Sequence, residues 1–495
     1  MIKSLQRMPK GVTPLYFIQA FSTFSYAILY SSLSLYITKQ LGLSNTVSNS
    51  IVGLFLAFNF VLHLVGGLMG GRYLSNRALF FITTIIQSLG ILFLIFSQAS
   101  TLYLGLSLFL VGCGLNTTCY NTILTQRFDP DDNRRDKAFF MSYSAMNVGF
   151  FAGFIISGFY DYSNQYQQIF SASLFINIIT LLLMAFSWAD LADKNTPLME
   201  LKDRSSRRMK HLLGITGTVL LVPFLMVCFN SADFSNGMVL VVSIIMFFVI
   251  VFLRQKQPLK ADKQKIKAYL ILTVTSIIFW MIYYTGPMGI TIFIKNNVDK
   301  HILSYELATQ WILNINAIII IVGAPITALV INKLQSKGFN FSVSMQFVWA
   351  FIFLALSFFL LACGVMFSDS HGFSSINWVI LHLVTQSIAE LLIGPVGYAM
   401  IGRIAPPKLQ GILMGTWMMV SGVSASLSTY FSNAMMKTDS IDPLSTNADY
   451  LYVFNQLGGW ALVAAVFLYF IAGKIRNLID NTKAPESTII ETITA

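Results

Sequence analysis

The sequence predicts an all-α polytopic membrane protein with fourteen transmembrane helices in a 6 + 2 + 6 order, and three observations predict it. Of the 495 residues, 55% are hydrophobic and only 11% are charged, against roughly 25% charged in a soluble globular protein, and the mean hydropathy is +0.68. The apolar stretches are long: crossing about 30 Å of hydrocarbon takes about 20 helical residues, and fourteen stretches reach that scale. The cations are confined almost wholly to alternate loops.

In chain order the stretches lie at 15–37, 48–70, 78–98, 101–126, 139–160, 168–189, 211–230, 237–254, 268–293, 305–333, 342–367, 376–402, 409–435 and 451–473. Residues 1–14 (MIKSLQRMPKGVTP) are basic and polar and show no signal-peptide cleavage pattern. The first apolar stretch is also longer than a signal h-region, so it is expected to remain as a span. The four cysteines, Cys113, Cys119, Cys228 and Cys363, all fall inside spans. They offer neither a disulfide framework nor a metal-ligand spacing and read as small buried hydrophobes.

A pI near 9.3 points to nucleic acid only until the charges are placed. With the N-terminus on the cytoplasmic side, all but four of the 32 Lys and Arg fall in inside segments; the exceptions are Lys39, Lys295, Lys300 and Lys437. This asymmetry follows the positive-inside rule. The basic surplus orients the chain in a bilayer, predicts an even number of spans with both termini inside, and leaves no reason to invoke nucleic acid.

Four segments follow: an N-terminal six-helix bundle (1–189), basic linkers carrying an inserted two-helix hairpin (190–267), a C-terminal six-helix bundle (268–473) and a polar cytoplasmic tail (474–495). Two six-helix halves related by an axis along the membrane normal are the major-facilitator architecture, with the solute site between the halves near mid-membrane. The hairpin spans carry no charge before Arg254, the last residue of the second, and read as a lipid-facing accessory. No GxxxxGK[ST] loop occurs, so ATP-driven transport has no support. No catalytic or metal-ligand pattern stands out either; neither an enzyme nor a cofactor is expected.

A charge inside a span costs about 2.5–3.5 kcal/mol on insertion scales, so each one marks a functional candidate. Glu390, in LHLVTQSIAELLIGPVGYAM, is the acid placed most deeply. A structural ion pair is the competing reading, but no Lys or Arg lies deep in another span. Such a carboxylate suits proton exchange or the holding of a substrate cation. His382, two turns earlier, and His63, in FVLHLVGG, are either packing residues or proton relays. Gly286-Pro287, Gly323-Ala324-Pro325 and Gly394-Pro395 are either gate hinges or packing kinks. Trp280, Trp311 and Trp417 line a cavity or fill a core.

Gln386 to Trp417, QSIAELLIGPVGYAMIGRIAPPKLQGILMGTW, resembles the tenth and eleventh main helices of the proton-coupled oligopeptide transporter family, a branch of the major facilitator superfamily. Residues 311–325, WILNINAIIIIVGAP, are similar to that family's eighth-helix pattern around an Asn, here Asn316. Residues 139–153, FFMSYSAMNVGFFAG, resemble its FYxxINxG signature, with Asn147 on the Asn. GGLMGGRYLSNR (66–77) resembles the loop after its second helix, and Phe279-Trp280 the start of its seventh. The resemblance covers both halves, and the hairpin is typical of bacterial members.

The departures are as informative. The family's first helix carries ExxER, tied to proton coupling; here Gln19, Ser22 and Thr23 stand in those places. Its fourth-helix Lys is Thr117, its loop Asp is Gly71 and its seventh-helix Gln is Thr285. In the family, basic residues of the N-terminal half hold the peptide carboxylate, while the tenth-helix Glu and eighth-helix Asn hold the amine. The resemblance therefore implies that Glu390, Asn316 and Trp417 keep the amine end, with Trp280 and Thr285 nearby. It implies that the carboxylate end is absent from the substrate or left to neutral donors such as Thr23, Tyr26, Thr117 and Asn147.

The expected partners are a di- or tripeptide or related amine, protons and the lipid bilayer. The expected place is a bacterial inner membrane, and the expected activity is alternating-access transport linked to protons through Glu390. A facilitator, or a transporter of a different small metabolite without proton coupling, remains open. So does a non-transporting sensor, though no large soluble domain accompanies the spans.

Overall fold

The structure is a computed structural model and describes residues 8–129, 132, 134–194, 196–302, 304–338, 342–404, 410–438 and 440–480. Hydrocarbon leaves the backbone no partner but itself, so each apolar stretch is a helix with its hydrogen bonds closed internally. The first bundle contains α1 (Val12–Leu35), α2 (Asn45–Met69), α3 (Asn76–Ile95), α4 (Ala99–Thr125), α5 (Arg134–Asp161) and α6 (Tyr166–Phe186). A short helix, α7 (Pro197–Glu200), leads to the hairpin α8 (Arg204–Asn230) and α9 (Ala232–Gln255).

The second bundle begins with α10 (Lys260–Tyr283), which continues through a wide π-helical turn at Gly286–Ile290 into α11 (Thr291–Asn297). It is completed by α12 (Thr309–Leu313), α13 (Ile315–Ser336), α14 (Val343–Met366), α15 (Ile376–Ile404), α16 (Gln410–Ala434) and α17 (Pro443–Asp480). Twelve helices among the described residues are long and apolar enough to cross a membrane. The remaining two long helices, α5 and α16, fill the places of the fifth and thirteenth expected spans.

Helix starts follow local chemistry. Ser44, Ser75 and Ser342 accept from the backbone N–H three residues on, at 3.4, 3.3 and 3.4 Å. Asp203 accepts from Ser205 and Ser206 at 3.1 and 2.9 Å at the start of α8. These caps satisfy amides that the first helical turn leaves open.

Several boundaries differ from the sequence reading. The ninth span is broken at Tyr284–Thr285, just before Gly286-Pro287, because Pro287 has no N–H to extend the ladder. α13 and α15 run on past Gly323 and Gly394 without a break, so those two sites are not interruptions. The last helix extends to Asp480 and thus takes in the start of the tail expected from residue 474. Residues 481–495 of that tail lie outside the described residues. The hairpin is largely exposed on its outer side, but it is not free of the bundles. α8 packs on α4, while α9 packs on α2 of one half and on α16 and α10 of the other. Its tip is tied to α2, with the Ser50 hydroxyl donating to Asp233 and the Asn236 amide donating to the Ser50 carbonyl at 3.1 Å.

Each bundle has its own buried apolar core. α10 and α16 are the exceptions: Trp280 and Tyr283 pack against both cores, while Tyr284 and Met288, at the break in α10, and Ala425 of α16 belong to the core of the first bundle. The long helices alternate between the face that carries residues 8–11 and 475–480, the terminal face, and the face that carries residues 36–44 and 298–308, the far face.

The bundles close on each other toward the far face. Asn49 donates to Asn433 at 3.0 Å, the Trp311 indole to the Ile155 carbonyl at 3.0 Å, Asn314 to the Phe151 carbonyl at 3.1 Å and Lys295 to Thr38 at 3.1 Å. Gly158 permits this approach, because a Cβ there would fall on the Trp311 ring. Gly149 and Gly153, one turn apart, let α5 lie directly against Ala20, Thr23 and Ala27 of α1, the small-residue packing that lipid favours. Gly158→Leu is expected to hold the far face apart. A spin-label pair at the exposed positions Tyr162 and Tyr305 should report a longer mean distance than in the parent chain. An unchanged distance distribution in folded protein would overturn this account of the closure.

Candidate functional site

The closed far face leaves a cavity of about 360 Å³ between the bundles, lined from both. α1 presents Gln19, Thr23, Tyr26 and Tyr30, which recur at three- and four-residue steps and so share one helix face. Ser22 also lines the cavity. Across the N-terminal half the polar part of the lining carries no carboxylate, Lys or Arg among the described residues: Asn59 and His63 from α2, Gln87 from α3, Asn116 and Thr117 from α4, Asn147 from α5. The C-terminal half contributes Trp280, Tyr283 and Tyr284 from α10, Asn316 from α13 and Glu390 from α15.

Glu390 is held by neutral donors. Its Oε2 accepts from the Tyr283 hydroxyl at 2.7 Å and from the Asn316 amide at 3.0 Å. Asn316 Nδ2 also lies 2.9 Å from the Ser387 hydroxyl, which donates to the Leu383 carbonyl at 2.6 Å. α10, α13 and α15 thus meet at one carboxylate. The ion pairs among the described residues are Lys39–Asp161, Arg134–Asp132, Lys300–Glu306 and His301–Asp299; Glu390 takes part in none of them. The structural ion pair that competed with a functional role has no partner there. The two hydrogen bonds are directional and leave the rest of the group facing the cavity, where an ammonium can complete the pair.

Most residues singled out from the sequence meet here: Glu390, Asn316, Trp280, Tyr26, Thr23, Thr117, Asn147 and His63 all line the cavity. Three do not. Trp417 faces α10 and lies 6.1 Å, ring to ring, from Tyr269, whose hydroxyl bonds Thr416 and the Leu413 carbonyl. It belongs to the packing between α10 and α16. Thr285 is fully buried and its hydroxyl donates to the Ile282 carbonyl at 2.7 Å, closing the broken end of α10. His382 is fully buried between α15 and α14, with Nδ1 3.0 Å from the Ser357 carbonyl and its ring edge-on to Phe358. Position along the chain does not say which way a side chain turns about its helix axis.

The sequence reading missed Tyr283, Tyr284, Tyr30, Gln87 and Asn116. A signal existed for three of them. Tyr283 and Tyr284 follow Trp280 by three and four positions and Tyr30 follows Tyr26 by four, so all three continue a face already identified. Tyr26, Tyr30, Phe150 and Phe154 pack ring to ring on one wall at 5.9–6.4 Å, and Trp280, Tyr283 and Tyr284 on the other at 5.1–5.8 Å. The cavity is therefore a slot with aromatic walls and, among the described residues, one carboxylate.

A family model described as the POT family matches residues 77–449. The chain belongs to the POT family. It is 27% identical over 486 residues to dipeptide and tripeptide permease A of Salmonella typhimurium, covering 97% of this chain and 95% of that protein. The corresponding permease of Escherichia coli is 25% identical over 488 residues, with the same coverage. Among solved structures, a peptide transporter POT in complex with sulfate superposes with a TM-score of 0.84 at 20% identity, covering 95% of this chain and 96% of that one. A POT family transporter in complex with 5-aminolevulinic acid gives 0.81 at 20% identity, covering 94% and 97%. At these identities the superpositions establish the fold. The chain is a membrane transporter, not an enzyme.

The Cys113 thiol also lines the cavity and donates to Asn59 Oδ1 at 3.4 Å, while Cys119 on the same helix is wholly buried. A small, neutral maleimide applied from the terminal face is expected to modify Cys113 and spare Cys119, read by mass spectrometry of the α4 peptide. Equal modification of both would contradict the placement of the cavity.

Proposed function

We propose that this chain is a secondary active transporter of peptide-like, amine-bearing small solutes, linked to protons through Glu390. It works in a bacterial inner membrane with both termini in the cytoplasm. The observation that carries this reading is the carboxylate of Glu390, the one acid among the described residues of the cavity lining, held by Tyr283 and Asn316 and, among those residues, by no cation. The curated relatives are named as dipeptide and tripeptide permeases, which supports the solute class. The solved relative with 5-aminolevulinic acid supports a small amine as ligand.

The steps follow from charge balance. Ionised Glu390 holds the solute ammonium against Asn316 and the aromatic walls. When a proton adds to the carboxylate, the pair is neutralised and the ammonium is released. The bundles then rock about the cavity, exchanging closure at the far face for closure at the terminal face. The N-terminal wall holds the remainder of the solute through Thr23, Tyr26, Thr117 and Asn147, all neutral. A solute whose far end is an amide or another uncharged group fits this wall without leaving a carboxylate unpaired.

In proteoliposomes, Glu390→Gln is expected to abolish proton-driven accumulation of a dipeptide amide and to weaken its binding at least tenfold, about 1.4 kcal/mol. Unchanged gradient-driven uptake in that variant would end the proposal. A second reading, a facilitator without proton coupling, is favoured by one observation: the cavity face of α1 carries Gln19, Ser22 and Thr23 and no acid. Parent protein that equilibrates solute but shows no solute-dependent proton movement across the vesicle membrane would favour the facilitator.

A further inference from the structure

Among the described residues that line the cavity, one side chain can carry a positive charge, His63. It stands on α2, in the half opposite Glu390. A run of rings joins the two groups. Tyr283, bonded to Glu390 at 2.7 Å, packs 5.7 Å from Tyr284; Tyr284 packs 6.1 Å from Phe60; and Phe60 packs edge-on to His63 at 5.7 Å. The backbone at His63 is pinned by the Thr118 hydroxyl, which donates to its carbonyl. The neighbouring Thr117 faces the cavity.

The surroundings of His63 are almost free of charge. α1, α4 and α16 carry no Asp, Glu, Lys, Arg or His, and neither does the turn at Gly286–Ile290. The other titratable groups among the described residues lining the cavity are Tyr26 and Tyr30 on α1, Cys113 and Tyr120 on α4, Tyr143 on α5 and Tyr283 and Tyr284 on α10, with Glu390 across the slot. α9 meets α2 through Asp233 at Ser50, about 3.6 turns from His63. α8 reaches the terminal end of α2 at Gly214, beside Tyr73 and Leu74, with its basic first turns beyond.

We propose that His63 makes recognition of a solute carboxylate conditional on a proton. A proton from cavity water adds to the free ring nitrogen. The resulting imidazolium N–H donates to the carboxylate, and loss of that proton breaks the pair. With a neutral ring, the cavity takes amines whose far end is uncharged. With a charged ring, it also takes free-acid peptides, which then bridge Glu390 and His63. This inference rests on the reading of Glu390 as the ammonium site, and the test separates the two.

Purified protein in nanodiscs is titrated with dialanine and with dialanine amide at about pH 7.5 and about pH 5.5, on either side of the ordinary imidazole range near ~6.5. Both ligands present the same ammonium, so the titration of Glu390 cancels in the ratio of their affinities. The dialanine-to-amide ratio is expected to rise roughly tenfold at the lower pH in the parent chain and to stay flat in His63→Gln. Amide binding should persist in that variant, showing that it is folded; His63→Asn serves as a second neutral replacement. A ratio independent of pH in the parent chain, or the same rise in both variants, overturns the role of His63. Amide binding that survives Glu390→Gln overturns the Glu390 reading, and this inference with it.

Discussion

Hydrocarbon offers a polar group no hydrogen-bond partner, and an unsatisfied group there costs several kcal/mol. The backbone answers with helices, and the many hydroxyls in the spans answer by donating backward to carbonyls of their own helix, as Ser32 does to Ile28 at 2.6 Å and Thr83 does to Leu79 at 2.7 Å. Glu390 has no such local recourse. It is satisfied across three helices, by Tyr283 of α10 and Asn316 of α13, and this requirement fixes how those helices face one another. The second bundle is in that sense assembled around a carboxylate as well as around its apolar core.

The two halves solve the problem differently. The first bundle meets the cavity with amides and hydroxyls that bond among themselves: Gln19 donates to Thr23 at 3.4 Å, Asn116 to Thr84 at 3.2 Å and Gln87 to Ser25 at 3.4 Å. A network of neutral donors can be rearranged around different uncharged ligands at small cost, whereas a buried ion must be met by an opposite charge. The asymmetry between halves therefore places the demand for complementarity on one end of the solute.

Much of the fold was legible because hydropathy, span length and loop charge are set by the bilayer itself. Glu390 and Asn316 were legible because a charge in lipid is costly and because their neighbourhood resembles a known family. What one chain cannot display is rotation about a helix axis. Trp417 on α16 and His382 on α15 turn to a neighbouring helix, and Thr285 turns back to a carbonyl at the end of α10, rather than to the cavity. Gln87 illustrates the converse: nothing in its spacing on α3 separates it from a packing residue, yet it lines the cavity. The hairpin's grip on α2 through Asp233 and Asn236 likewise joins residues far apart in sequence, with no periodic signal to announce it.

The break in α10 also sets a resting bias. Met288, in the chain segment of one half, is fully buried in the apolar core of the other. Burying such a side chain is worth about 1.5–3 kcal/mol, so parting the bundles at this splice carries a cost of that order. The closed far face is therefore held by an apolar contact as well as by the hydrogen bonds across it. Leak resistance in this protein is a matter of side-chain volume at one splice between two bundles as much as of charge at the site.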